Sequence, residues 1–505
     1  MNRLKRIEQD NRKIISLLCS GIFLIIWSLL SKNFEPTIYE GPLSFARKTI
    51  GGLIFLKLTA IMFFLIYKDI LNKVYIVFAF AFIFIFIGSF FKFYSMINAF
   101  FSINFDAVSL LLGMGIISAV LEQTGFFDNI VYKIYEFSKD SHLRVFVLFC
   151  FISYIFSLVF NNLAVIIAIV PITLSMSVLM GFDPRPFIIA EIISSNIGAS
   201  STMIGDFPNM LISTQAGLGF NEFIVFMMPI CMILFGVFLF YFDLNVLKSM
   251  PKINETDNKL LRMKLNLANQ VKSDKPIKIV KPKINFREHT AINASILILF
   301  LIILILMLSK KIGLNPATVV LSGALSLLLF CGINKRQIVS KIYFDDILFF
   351  IGLFIIVGGI KASGLFQYIS GIIMFISIGK PLVVALMIMW LSALFTYLMN
   401  SWVSILFIVP IVLNFNLITP HNIIWWALSL GILAGSISTS GNTNFRVSTI
   451  LTEKFNSKYN LNIENIEDNG ALFNKDFSKI CRLLTFIFLF ISTMYIIGFY
   501  ILSSY

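Results

Sequence analysis

The sequence predicts an all-α, polytopic membrane protein built from two inverted repeats, and three observations predict it. The first is composition. Of 505 residues, 58% are apolar and 13% charged, with a mean hydropathy of +0.90, whereas a soluble domain rarely passes about 50% apolar. Too little polar surface remains for a water-facing shell, so lipid must be the solvent for much of the chain. The second is run length. Continuous apolar runs of about 17–25 residues recur, the length a helix needs to cross hydrocarbon, and they do not alternate as a membrane strand would. The third is internal repetition. FDAVSLLLGMGIISAVLEQTGFF from Phe105 is matched by FDDILFFIGLFIIVGGIKASGLF from Phe344, at an offset of 239.

Taken in chain order, residues 1–13 are basic and 14–30 apolar. No small-x-small cleavage site precedes Lys32, so Ile14–Leu30 reads as a retained helix rather than a leader. Further spans are expected near 50–67, 74–91, 106–122, 187–219, 222–243, 291–309, 314–331, 346–362, 423–451 and 481–501. Two other apolar stretches, 144–180 and 382–416, each have room for two short helices around a polar break. The loop 244–290 is rich in Lys and Arg and links the halves. The expected organisation is N-terminal helices over 1–73, a first repeat over 74–243, a basic loop and linker helix over 244–312, and a second repeat over 313–505.

The offset of 239 continues without a gap, pairing Phe156 with Phe395, Asn161 with Asn400 and Pro171 with Pro410; 20 of 69 positions are identical. Shared apolar bias inflates that count, but it does not explain Asp106/Asp345, Gly113/Gly352 or Gly125/Gly364. Charge gives the orientation. With the basic N-terminus inside, 123–144 and loop 244–290 fall in the cytoplasm, 363–380 falls outside, 332–345 falls inside, and the C-terminus ends outside. Segments 123–144 and 363–380 are repeat equivalents on opposite sides, so the copies are inverted.

The net charge of +14 is the usual cytoplasmic enrichment of a membrane protein. It is scattered over loops without a nucleic-acid motif, so nucleic acid is not an expected partner. The five cysteines (Cys19, Cys150, Cys231, Cys331, Cys481) lie in or beside apolar runs with no CxxC spacing, and His142, His289 and His421 lie far apart. No metal cluster, disulfide framework or cofactor is implied. The chain carries no H-E-x-x-H, G-x-S-x-G or P-loop motif, so no enzymatic activity is expected.

Irregular backbone at membrane depth is tolerated only where protein buries it or it lines a wet cavity, so polar breaks in apolar runs are candidate sites. The breaks at Asn161-Asn162 and at Asn400-Ser401 would be hairpin tips, where helix ends present N–H groups to an anion and oxygens to a cation. An ordinary interfacial turn is the plainer alternative, less favoured because the spacing is matched. The third break is SSNIGASSTMIGDFPN at 194–209, where Gly198, Gly205 and Pro208 are expected to interrupt the helix and Ser195, Asn196, Gly198, Thr202, Asp206 and Asn209 are the candidates. Small residues there also suit tight helix packing, but packing alone does not account for Asp206, since a carboxylate inside a membrane is a functional candidate by default. Glu191 is a weaker candidate. The fourth break, AGSISTSGNTNFRVST at 434–449, offers Thr439, Ser440, Asn442, Asn444 and Arg446. Arg446 either pairs with Asp206 or binds an anionic substrate, and both readings stay open.

NNLAVIIAIVPIT followed by EIISSNIGASSTMIGDFPN resembles the ion transporter superfamily, which includes arsenite pumps, sodium/proton antiporters, the P protein and citrate or dicarboxylate carriers. LNPATVVLSGALSLLLF at 314–330 adds to the likeness, which covers about 74–500. The resemblance implies an elevator-type fold of about eleven transmembrane helices, two re-entrant hairpins and a site between their tips and the broken helices. It also implies secondary transport with sodium or protons as coupling ion, sodium bound at the hairpin tips, a homodimer and, for some relatives, a soluble ATPase partner. Asn161 stands where the family often carries Asp, and SISTSGNTNFR replaces a glycine-rich segment. These departures, with Arg446, lean toward an anionic substrate. Sodium/proton antiport through Asp206 is the alternative, and a channel or a non-transporting membrane scaffold is a second one.

Overall fold

A computed structural model describes residues 42–67, 71–124, 142–180, 182–245, 286–330, 338, 344–415, 422–437, 447–452 and 469–504. The described residues are helical, with no strand among them. The expected helix at 14–30 and the loop 244–290, except for its two ends, lie outside them.

The chain divides into two compact units, one holding residues 1–102 with 358–365, the other 103–357 with 366–505. The first contains α1 (Pro42–Tyr67), α2 (Lys73–Phe90) and α3 (Met96–Phe101). Asn72 caps α2 by accepting from the Val74 N–H at 3.0 Å. Aromatic packing joins the helices, with the rings of Phe55 and Phe84 stacked at 4.1 Å. A Cβ on Gly359 would lie 3.0–3.3 Å from Phe55, Phe84 and Tyr94, so that segment packs tightly against these rings.

The second unit carries α4 (Phe105–Gln123), α5 (His142–Ser157), α6 (Asn162–Met180), α7 (Pro184–Ser200), α8 (Phe207–Ala216) and α9 (Phe220–Asn245). Then follow α10 (Phe286–Ile312), α11 (Pro316–Phe330), α12 (Phe344–Ala362), which reaches into the first unit, and α13 (Leu365–Ile376). The last are α14 (Pro381–Leu398), α15 (Ser401–Val412), α16 (Ile423–Ile437) and α17 (Asn469–Ser504). α5 and α6 form one helical hairpin, and α14 and α15 the other.

The repeat reaches further than sequence identity shows. α4, α5, α6 and α7 begin at Phe105, His142, Asn162 and Pro184, and α12, α14, α15 and α16 begin at Phe344, Pro381, Ser401 and Ile423. Each pair keeps the offset of 239. α5 packs on α7 as α14 packs on α16, and glycine makes both contacts close. A Cβ on Gly198 would stand 2.2 Å from the Tyr154 carbonyl oxygen, and one on Gly435 would stand 2.4 Å from that of Ala393. Tyr154 and Ala393 are repeat equivalents.

Among the described residues six helices are long and apolar enough to cross a membrane, fewer than the expected eleven or so. The shorter apolar helices include three of the four hairpin arms, α5, α6 and α15. Large apolar side chains stay exposed where lipid is the solvent, among them Leu297 and Phe300 on α10 and Phe486 and Phe490 on α17. α13 lies within segment 363–380, where the apolar runs predict no span. It follows α12 at a bend of 67° and buries Phe366, Ser370 and Ile373 along one face.

Candidate ion-binding site

Hairpin α5–α6 turns over at 158–161, and its tip is held by α7 and by the break that follows it. Ser195 Oγ donates to the Asn162 carbonyl at 3.2 Å, and the Asn162 amide donates to Asn196 Oδ1 at 3.0 Å. Ser157 and Ser195 share a hydrogen bond of 2.7 Å. Thr202 Oγ1 donates to the Leu158 carbonyl at 2.5 Å. Buried polar groups are as a rule hydrogen-bonded within the protein, and these serines and asparagines bond to one another across the tip. Among the described residues the second repeat shows no such lattice. Its equivalents of Ser195 and Asn196 are Ala434 and Gly435, and the Thr396 hydroxyl, equivalent to Ser157, is buried with no hydrogen-bond partner among the described residues.

The break itself runs from Ser201 to Asp206. Its position corrects the expectation that Gly198, Gly205 and Pro208 interrupt the helix. Gly198 lies inside α7 and serves the close contact with α5, while Pro208 sits in the first turn of α8, where a missing N–H costs nothing. Gly205 does lie in the break, and a Cβ there would stand 2.5 Å from the carbonyl oxygens of Ala199 and Ser157. Asn209 closes the break. Its amide donates to the carbonyls of Ser200 and Thr202, both at 2.9 Å, and its Oδ1 accepts from Ser429 Oγ at 2.7 Å. Ser429 belongs to α16, so this asparagine ties the first repeat to the second.

These contacts make a test. Asn209→Asp replaces the donating amide by an oxygen facing two carbonyls, so two buried hydrogen bonds turn repulsive, at about 1 kcal/mol or more each, while the oxygen that accepts from Ser429 is kept. Ser429→Ala removes one. In detergent, N209D should melt well below S429A. Equal melting would mean that Asn209 does not hold the break.

Asp206 caps α8. Its Oδ1 accepts from the Phe207 N–H at 2.8 Å and, from the other repeat, the Trp402 indole N–H at 3.4 Å. Trp402 is in the first turn of α15, beside the second hairpin tip. Apolar rings flank the carboxylate, with Phe207 stacked on Phe350 at 3.7 Å and Phe350 lying 5.3 Å from Trp402. Among the described residues Asp206 Oδ2 has no partner. The sequence marked Asp206; nothing in it marked Trp402, because an indole among apolar residues reads as core.

The two tips share one device. Asn161 Oδ1 accepts from the Leu163 N–H at 2.9 Å, and Asn400 Oδ1 accepts from the N–H groups of Trp402 and Val403 at 2.6 and 3.3 Å. Each asparagine thus caps its own helix through oxygen. Both side chains are only partly buried, and among the described residues neither Nδ2 has a hydrogen-bond partner. Ser401 opens α15 and is half-buried. Thr439, Ser440, Asn442, Asn444 and Arg446 lie outside the described residues.

Among the proteins similar to this chain are membrane transporters. A citrate transporter family model matches residues 22–431. The magnetosome protein MamN of Magnetospirillum gryphiswaldense is 30% identical over 393 residues, 78% of this chain and 86% of that protein. The P protein of Sus scrofa is 24% identical over 401 residues, 67% of this chain and 48% of that protein. MtrF of Neisseria gonorrhoeae, described with a class of antimetabolite efflux pumps, superposes with a TM-score of 0.53 at 12% identity, over 79% of this chain and 81% of its own; at that identity only the fold is shared. The expected kinship with the ion transporter superfamily is thereby met, and with a match over most of its length this integral, multi-pass membrane protein belongs to the citrate transporter family.

Proposed function

We propose that the chain is a secondary active transporter of a small anion, an oxyanion or a carboxylate, driven by a sodium or proton gradient. The observation that carries this reading is the pair Asn161 and Asn400. Both spend their oxygens on capping, which leaves amide N–H groups as what each tip offers a ligand, and N–H donors recognise anions. The citrate transporter model points to the same chemistry. In this reading repeats 74–243 and 313–505 enclose the site with the orientation that charge predicts, and the oxygens around the break in α7–α8 serve the coupling cation. Arg446 either joins the anion site or pairs with Asp206.

Sodium/proton antiport is the second reading, favoured by the unpartnered Oδ2 of Asp206. Flux into proteoliposomes decides between them, with citrate as the first anion probe and sodium and pH varied independently. Gradient-driven anion uptake is expected. Sodium-driven alkalinisation with no added anion would overturn the anion reading.

A further inference from the structure

α7 buries a second carboxyl that the site above does not use. Glu191 is fully buried. Thr173 Oγ1 of α6 lies against its Oε1, and among the described residues Oε2 has no hydrogen-bond partner. The buried Cys150 thiol of α5 stands near it, and Ser194 Oγ, one turn further along α7, is buried with no hydrogen-bond partner among the described residues. α7 packs against α5, α6, α9 and α16, and none of them brings it a cation. Besides Cys150, α5 carries His142 at its start, Arg144, which is exposed, and Tyr154, which bonds Ser201. α6 and α16 carry no titratable group. α9 carries Glu222, which is paired with Lys310, and Cys231, Tyr241 and Asp243. On α7 itself, Arg185 is paired with Asp183. Among the described residues Glu191 makes no ion pair.

The second repeat shows that packing does not require this group. Under the offset of 239, Glu191, Thr173, Cys150 and Ser194 become Leu430, Val412, Met389 and Leu433, all buried. The same helix junction is therefore built from hydrocarbon in one copy and around a carboxyl in the other. A buried carboxylate with a bare oxygen and no cation is strongly disfavoured. Protonation removes the difficulty. The acid proton is then donated from Oε1 to Thr173 Oγ1, and the Thr173 hydroxyl donates in turn to the Ile169 carbonyl, 3.4 Å away.

We propose that Glu191 is a proton-binding site of the first repeat, held as the neutral acid among Thr173, Cys150 and Ser194, and separate from the oxygens around Asp206. This rests on the transport reading and deepens it by making the proton an ion the carrier binds. Infrared spectroscopy of the purified full chain at neutral pH, in H2O and in D2O, tests it. The wild type should show a carboxylic-acid carbonyl band that shifts in D2O and is missing from Glu191→Gln. Thr173→Val should displace the same band without removing it. A spectrum unchanged in E191Q would show Glu191 ionised and overturn the proposal. If E191Q does not fold, T173V decides alone: a displaced band supports the site and an unmoved one refutes it. The measurement needs no substrate, so its failure is separate from failure of the anion flux assay.

Discussion

Asp206→Asn should abolish ion-coupled transport while leaving the protein folded. Asparagine keeps a side-chain oxygen for the Phe207 N–H, so α8 keeps its cap, and it can still accept from the Trp402 indole. Only the negative charge is lost. That charge faces an environment of Phe207, Phe350 and Trp402 rings, where a cation is poorly solvated without it. Loss of a charge-assisted contact is worth about 1.5–3 kcal/mol, or about 10–100-fold in cation affinity. Gradient-driven uptake in proteoliposomes should fall at least that far, with the melting temperature in detergent near that of the wild type. Full coupled flux in D206N would remove Asp206 from the mechanism. Trp402→Phe is the smaller companion change, because it removes one donor and keeps the ring.

Gly198→Ala should be the most destabilising small substitution in the first repeat. The added carbon would meet the Tyr154 carbonyl at 2.2 Å, and that oxygen is backbone, so it cannot swing aside as a side chain would. α5 and α7 would have to separate, dragging Ser157 from Ser195 and the hairpin tip from the break. Overpacking of this kind costs about 1–3 kcal/mol and occasionally more. Gly435→Ala should behave alike, since it meets the Ala393 carbonyl at 2.4 Å. Gly236→Ala is the control: a Cβ there meets nothing within 4 Å, and alanine favours a helix by about 0.5–1 kcal/mol. Thermal melting in detergent should place G198A and G435A well below wild type and G236A at or above it. Equal melting of G198A and G236A would mean that the close approach of α5 and α7 is not a constraint.

Much of the architecture was legible because lipid imposes simple rules. Apolar runs marked the helices of both halves, and the polar interruptions at Asn161, Asn400 and 194–209 all proved to be hairpin tips or a helix break. The single offset of 239 located them in pairs. α13 was missed because a short apolar helix bent away from its neighbour has no length signal of its own. Gly198 could be read both as a helix interruption and as a packing contact, since a glycine that admits a neighbouring helix and one that ends a helix look alike in sequence.

What the sequence determined by itself is a membrane-embedded chain of two related halves with polar breaks at matched places, because hydrocarbon tolerates polar backbone only where protein shields it. Tertiary structure alone decided which of those polar atoms are already satisfied. It showed Asn161 and Asn400 using their oxygens as caps, Asn209 bound to the opposite repeat, Asp206 meeting an indole 196 positions away, and Glu191 enclosed without a counter-charge. Hydrogen bonds and burial depend on which helix faces reach each other, and residue spacing along one chain does not specify that.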